Sequence, residues 1–391
     1  MTKFNLLLAL MMLCAPLFGM TSPQEPINFM EENAGSATNP YQIQTLGNLH
    51  WLSETREVWG SEEQKIYFVQ TADIDAGETE HWNDGEGFRP IGIFLYDLID
   101  NVPHTIEEVN FFGNFDGNHF AIKNLYIGSS AIRNQEKALG LFARVQDSHL
   151  KNIRLENIQI NARQALTGAL VGFLHNSVIS GCSSSGWIVV DDKSTAVGGL
   201  VGQGRSNKIE YCFSTITIGG HDLRLMIEAN DDWGNYGHIG GIAGQLSLSS
   251  ITNSYFRGTI RRQATTSGGI IGALHQSEID FCYVATNGTL PDRVWNWYMG
   301  EMGTREMRFG AIAGMILSES SVRNSYFDRD ATGTRNGYDL SEVKKIRISG
   351  VKTSQMKRVN TYKGWDFQNI WTINPDINDG YPYTRKTSNS N

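Results

Sequence analysis

Two stretches of the chain hold side chains that could recognise or cut a sugar. Residues 219–238 carry His221, Asp222, Arg224, Glu228, Asp231, Asp232, Trp233 and Tyr236. Residues 287–308 carry Asp292, Arg293, Trp295, Trp297, Tyr298, Glu301 and Arg305. Aromatic rings pack on the apolar face of a pyranose, while carboxylates and guanidinium groups bond its hydroxyls. Trp233, Tyr236, Trp295, Trp297, Tyr298, Asp231, Asp232, Asp292 and Arg293 are therefore the candidate ligand-binding residues. The same rings could instead anchor two long loops, because tryptophan buries most of its surface in either role. A hydrolytic carboxylate pair could also be drawn from Asp231 or Asp232 with Asp292 or Glu301.

Other candidates are sparser. Asp73 and Asp75 open an acidic stretch with Glu78, Glu80, Asp84 and Glu86. Hard cations take several carboxylate oxygens, so calcium is compatible with it, but no full loop signature is present. Cys182, Cys212 and Cys282 lack a Cys-x-x-Cys partner, and the reading that fits best is a column of small buried hydrophobes. The chain has no His-Glu-x-x-His helix, no Gly-x-Ser-x-Gly elbow and no phosphate loop. Carbohydrate-cutting solenoids place charged residues on one strand face of adjacent coils. Here the equivalent positions are read as Ser, Asn, Cys and Gly.

The elements that must position these residues form a repeat. Val197-Gly198-Gly199-Leu200-Val201-Gly202 returns as Gly240-Gly241-Ile242-Ala243-Gly244 and Gly268-Gly269-Ile270-Ile271-Gly272. Looser copies are Leu139-Gly140-Leu141-Phe142-Ala143, Gly168-Ala169-Leu170-Val171-Gly172 and Gly310-Ala311-Ile312-Ala313-Gly314. Successive motif positions are 29, 30, 42, 28 and 42 residues apart. The base period is thus about thirty residues, with a dozen more in the two sugar-suited stretches. Each cysteine falls 13 residues after its motif position, with Ser254 in the same place in the coil between Cys212 and Cys282. Thirty residues of short apolar runs suit one coil of an all-β fold, a right-handed parallel β-helix (β-solenoid) with capped ends, the usual hand for parallel connections. Glycine would serve the corners through positive φ and the coil contacts through its lack of a side chain. The two insertions leave at one coil corner, two coils apart, so their tips should be neighbours.

Gly199-Leu200-Val201-Gly202 resembles the motif that names the GLUG repeat of bacterial secreted and surface β-solenoid proteins. Asn39-Pro40-Tyr41-Gln42-Ile43, Phe112-Gly113-Asn114-Phe115-Asp116-Gly117-Asn118-His119 and Gly364-Trp365-Asp366-Phe367 with Gly380-Tyr381-Pro382-Tyr383 are similar to its flanks. The resemblance extends over residues 39–385. It implies the fold, and adhesin-like proteins and the non-catalytic repeat region of immunoglobulin A proteases among the relatives. It does not fix the function.

The remaining chain divides accordingly. Residues 1–19 read as a signal peptide, with Lys3, an apolar run from Phe4 to Ala15 and Gly19 at a cleavage point. The run is short for a membrane span, and Leu13 before Cys14 argues against a lipidation signal. Residues 20–38 read as a flexible leader. Residues 39–137 hold the N-terminal cap and first coils, with Thr45 capping a helix that carries Leu46, Leu49 and Leu52. Residues 138–329 are six coils with the insertions at 219–238 and 287–308. Residues 330–391 read as the C-terminal cap and tail. The formal charge is −8, which disfavours nucleic acid. The reading is a secreted or surface-exposed, non-catalytic protein that binds glycan or a surface protein. A carbohydrate-active enzyme and a ligandless spacer are the alternatives.

Overall fold

A computed structural model of the protein describes residues 20–99, 102–128, 137–162, 165–190, 195–219, 237–261, 266–286, 308–343 and 346–386. Each glycine motif is one turn of a coil, because its apolar residue points inward and the chain must then bend tightly. Leu141, Leu170, Leu200, Ile242, Ile270 and Ile312, one per motif, are fully buried. They stack in a single apolar core that runs through the chain. No coil buries this surface alone, so stacking is what stabilises it.

Three parallel sheets wrap that core. One holds the strand before each motif: Ala138–Leu139, Leu166–Gly168, Ala196–Gly198, His238–Gly240, Thr266–Gly268 and Arg308–Gly310. The second holds the strand after it, from Phe142–Gln146 through Ala313–Ile316 to Tyr338–Ser341. The third returns the chain, and its ladder climbs from Tyr41–Ile43 and Tyr67–Gln70 to Ser321–Asp328 and Ile346–Val351. The protein is a parallel β-solenoid. An antiparallel hairpin, Ile93–Ile99 with Val102–Val109, interrupts it before residue 110.

The glycines do a narrower job than the sequence suggests. Gly198 and Gly199 do not have positive φ. A Cβ on Gly198 would sit 2.0 Å from the Val201 carbonyl, and one on Gly199 would sit 2.0 Å from the Gly241 carbonyl. Close backbone approach is their requirement. The left-handed corners fall instead on Asp147, Asn176, Ser206, Leu248, Gln276 and Glu319, and on Tyr211, Asn253, Phe281 and Asn324, with Gly181 in the second set. Beside the first set, each coil's backbone N–H bonds the next coil's side-chain oxygen. The ladder is Ser148, Ser177, Asn207, Ser249, Ser277 and Ser320, at 2.9–3.2 Å. These bonds help offset the cost of left-handed backbone, about 1–2 kcal/mol per residue.

Both ends differ from the expected plan. At the N-terminus, Thr45 caps the helix Leu46–Glu54 in a capping box with Asn48. The leader is not loose: Asn28 is fully buried, and residues 21–28 lie along the helix and the first strand. At the C-terminus one more coil forms from Tyr338–Ser341 and Ile346–Val351. Residues 352–386 then fold back along the outer flank rather than closing the end. They do so because Phe213, Tyr255 and Tyr283 make an outward aromatic stack, with ring centres 4.9 Å apart, that needs covering. Trp371, Trp365, Tyr362 and Tyr381 supply the cover.

Candidate functional site

The flanks of the two long insertions are described, and they converge. Ile218, before the first, pairs with Ile260 of the next coil. After the insertions, His238, Thr266 and Arg308 form consecutive rungs of one ladder. The two segments thus rejoin the solenoid two rungs apart, about 10 Å, at one corner. His238 at this lip bonds Thr266 Oγ1 at 2.6 Å, and burial pushes its imidazole pKa down. The nine candidate binding residues, Asp231, Asp232, Trp233, Tyr236, Asp292, Arg293, Trp295, Trp297 and Tyr298, lie outside the described residues, as does Glu301.

The same corner carries an aromatic that sequence reasoning missed. Trp187 stands outward on Ser183–Val190, 37% exposed for all its apolar area. Its neighbours along the column are Gln159 on one side, then Thr217 and Thr259 on the other. Arg261 follows that last rung by two residues, and its guanidinium lies 5.2 Å from the Trp187 ring centre. The arginine stem passes Gly219, where a Cβ would come 2.8 Å from Arg261 Cβ. Gly219 is also where the first insertion departs. A cation over an indole face is an attractive pair of about 0.5–1 kcal/mol when exposed. The guanidinium lies over the indole, and the ring keeps 37% of its surface exposed. No periodic signal marks it, because only one coil carries the tryptophan.

The family model for the GLUG motif matches residues 235–261, which span one whole coil from the lip His238 to Arg261. The chain carries the GLUG repeat. Halomucin of Haloquadratum walsbyi is 28% identical over 172 residues, covering 43% of this chain. The chain spans about 2% of the length of that relative. A solved structure provisionally described as an immunoglobulin A1 protease from Bacteroides ovatus aligns at TM-score 0.53 and 19% identity. It covers 90% of this chain and 94% of its own, and the likeness establishes the shared fold alone. A second, of an IgA1 protease, reaches TM-score 0.42 at 16% identity, over 79% of this chain and 21% of that one.

Within the GLUG solenoid the remaining candidates have protein partners. Asp73 accepts the Ala121 N–H at 2.8 Å and the Lys123 ammonium at 2.7 Å, which together hold its carboxyl below the usual range. Asp75 accepts Asn124 at 2.9 Å and the Gly77 N–H at 3.0 Å, with the same effect. Among the described residues no three His, Cys, Asp or Glu side chains gather as a metal-binding group. Cys182, Cys212 and Cys282 are free and fully buried in one column. Ser254 and Ser325 fill the rungs that follow Cys212 and Cys282, and their hydroxyl oxygens accept the N–H groups of those cysteines.

One strand face is more charged than the sequence reading allowed. Asp116, Lys151, Ser180, Glu210, Thr252, Asp280 and Arg323 form a single column. Its carboxylates are committed to ion pairs: Asp116 to Lys151 at 3.0 Å, Glu210 to Lys208 at 2.9 Å, and Asp280 to Arg323 at 3.4 Å. The first and last pairs join neighbouring coils, whereas Lys208 and Glu210 share one strand. Among the described residues no helix is long and apolar enough to cross a membrane.

Proposed function

We propose that this is an exported, non-catalytic GLUG-repeat protein that binds glycan, or a glycan-bearing surface protein, at the inserted corner. The observation that carries the reading is the meeting of both insertion lips with Trp187 and Arg261 on one edge. A part-exposed indole with an arginine over it suits a sugar ring and its hydroxyls or an attached carboxylate. Trp233, Tyr236, Trp295, Trp297, Tyr298, Asp231, Asp232, Asp292 and Arg293 would complete the surface, since their segments begin and end at that corner. Calcium at Asp73 and Asp75 remains a subsidiary proposal, read out as calcium-dependent melting.

A glycan array probed with residues 20–391, followed by product analysis of every hit, tests the reading. Binding that is lost in Trp187→Ala and in the double variant Trp295→Ala, Trp297→Ala, without cleavage, is the expected outcome. Cleavage of a bound glycan would make the protein a carbohydrate-active enzyme. Absence of any glycan or surface ligand would leave a structural spacer.

A further inference from the structure

We propose that copies of this protein join head to tail, with the basic, open end of one solenoid seated on the acidic, apolar-tipped cap of the next. The proposal does not depend on glycan binding.

The two ends are opposite in charge. Residues 20–64, which build the head, hold seven glutamates against one arginine, with no aspartate or lysine, a formal charge of −6. Residues 346–363, the last rung and the turns after it, hold five lysines and arginines and no acid, a formal charge of +5. Glu25, Glu31, Glu32 and Glu57 are exposed, and none of them is ion-paired among the described residues. The same holds at the tail for Arg347, Lys352, Arg358 and Lys363. Nine ladder steps separate Tyr41–Ile43 from Ile346–Val351, a span of about 43 Å. That is several times the ~8 Å Debye length of physiological salt. Each end therefore shows its own sign to a partner.

The ends also differ in how they are closed. At the head, Asn28 Oδ1 accepts the Gln42 N–H, and Asn28 Nδ2 bonds Asn39 and the Pro40 carbonyl. The turn pinned in this way holds Ile27 and Met30 out in water, 82% and 89% exposed. At the tail, Tyr338–Ser341 and Ile346–Val351 each pair on one edge only, among the described residues. Val343, Ile346 and Ile348 pack on the end of the core there but stay partly buried, and Tyr338 is 38% exposed. An open edge of this kind invites cover.

A second copy supplies what each end lacks. An apolar tip among carboxylates fits an open apolar end among cations, and the far end of the same chain is such a surface. Two heads would set −6 against −6 and two tails +5 against +5, and like charges across an interface are penalised. Head-to-tail contact is heterologous, so it continues as a filament where its rotation does not close a ring. Asn28 already occupies the edge of the first strand, so side chains around Ile27 and Met30 make the joint rather than a continued ladder.

Sedimentation of the purified protein over a range of concentrations tests this at about 0.01 M and about 1 M salt, where the Debye length is about 30 Å and about 3 Å. At low salt the mass should climb with concentration without an end-point, and at high salt it should fall to the monomer. The double variant Ile27→Ser, Met30→Ser should melt like the unaltered protein and stay monomeric. Glu31→Lys with Glu32→Lys, and separately Arg347→Glu with Arg358→Glu, should each abolish assembly alone and restore it when the two variants are mixed. A monomer under every condition, a closed dimer, growth that salt does not weaken, or assembly that persists without Ile27 and Met30 overturns the proposal. If a variant does not fold, carbodiimide cross-linking of the unaltered protein decides. Links from Glu31 or Glu32 to Lys352 or Lys363, which lie too far apart within one chain, support the joint, and their absence overturns it.

Discussion

Arg261 reaches back across two coils to lay its guanidinium 5.2 Å from the ring centre of Trp187. Their separation of 74 positions hides the pair in the sequence, yet it marks the edge from which the first insertion leaves. At an exposed site the cation–π contact itself is worth only about 0.5–1 kcal/mol. Trp187→Ala should therefore abolish glycan binding and cost only about 1 kcal/mol of stability. Arg261→Ala should weaken binding with equally small effect on melting. A fall of more than about 3 kcal/mol in either variant, with binding intact, would make the pair a structural brace.

Ile242 tests the stacked core. It occupies the same buried rung as Leu200 and Ile270. Ile242→Asp places a charge where no partner is available, which costs several kcal/mol or more. Loss of cooperative unfolding, or of soluble protein, is the expected result in thermal denaturation. Near-normal melting would contradict a continuous core.

The three cysteines should be inert in the folded protein. Burial pushes the thiol pKa of Cys182 and of Cys282 well up, so the reactive thiolate is scarce at neutral pH. A thiol reagent at pH 8 should label none of Cys182, Cys212 and Cys282 until denaturant is added. Mass spectrometry that found a Cys182–Cys212 disulfide in secreted protein would refute the buried free column.

The C-terminal segment is latched by Arg257. This nearly buried guanidinium bonds Asn378 Oδ1 at 2.8 Å and Asp379 Oδ2 at 2.7 Å, under the Tyr381 ring. Its hydrogen bond and its charge hold the Asp379 carboxyl below the usual range. A depressed carboxyl stabilises the folded state above its unfolded pKa, about 3.9, and loses that contribution as pH falls through the lower folded value. Limited proteolysis of residues 352–386 should hence accelerate below about pH 4. Asp379→Asn should flatten that pH dependence. Trp371→Ala, which removes a fully buried ring and its bond to Asn253, should cost about 3–5 kcal/mol and free the segment at neutral pH. Unchanged protection in Trp371→Ala would show that the aromatic cover does not hold it.

How far the sequence reached depended on whether a feature repeats. Six copies of one motif in phase determined the solenoid, its inward rung and the cysteine column. A period carries the same local preference through every coil, and stacking then satisfies all copies at once. The corner shared by the two insertions was legible for the same reason, since both are offset similarly from their motifs. Features that occur once were settled only by the tertiary structure. Tyr211, Leu248 and Phe281 take left-handed corners that their types disfavour, because the coil-to-coil ladders fix the backbone there. The flank position of residues 352–386 depends on Trp371 meeting Asn253 and Asp379 meeting Arg257, each more than a hundred residues away. The seat of Thr21 against Glu78 is likewise one long-range bond. Such contacts leave no local pattern, so only the completed fold, with an outward aromatic stack to cover and an open first strand to close, selects them.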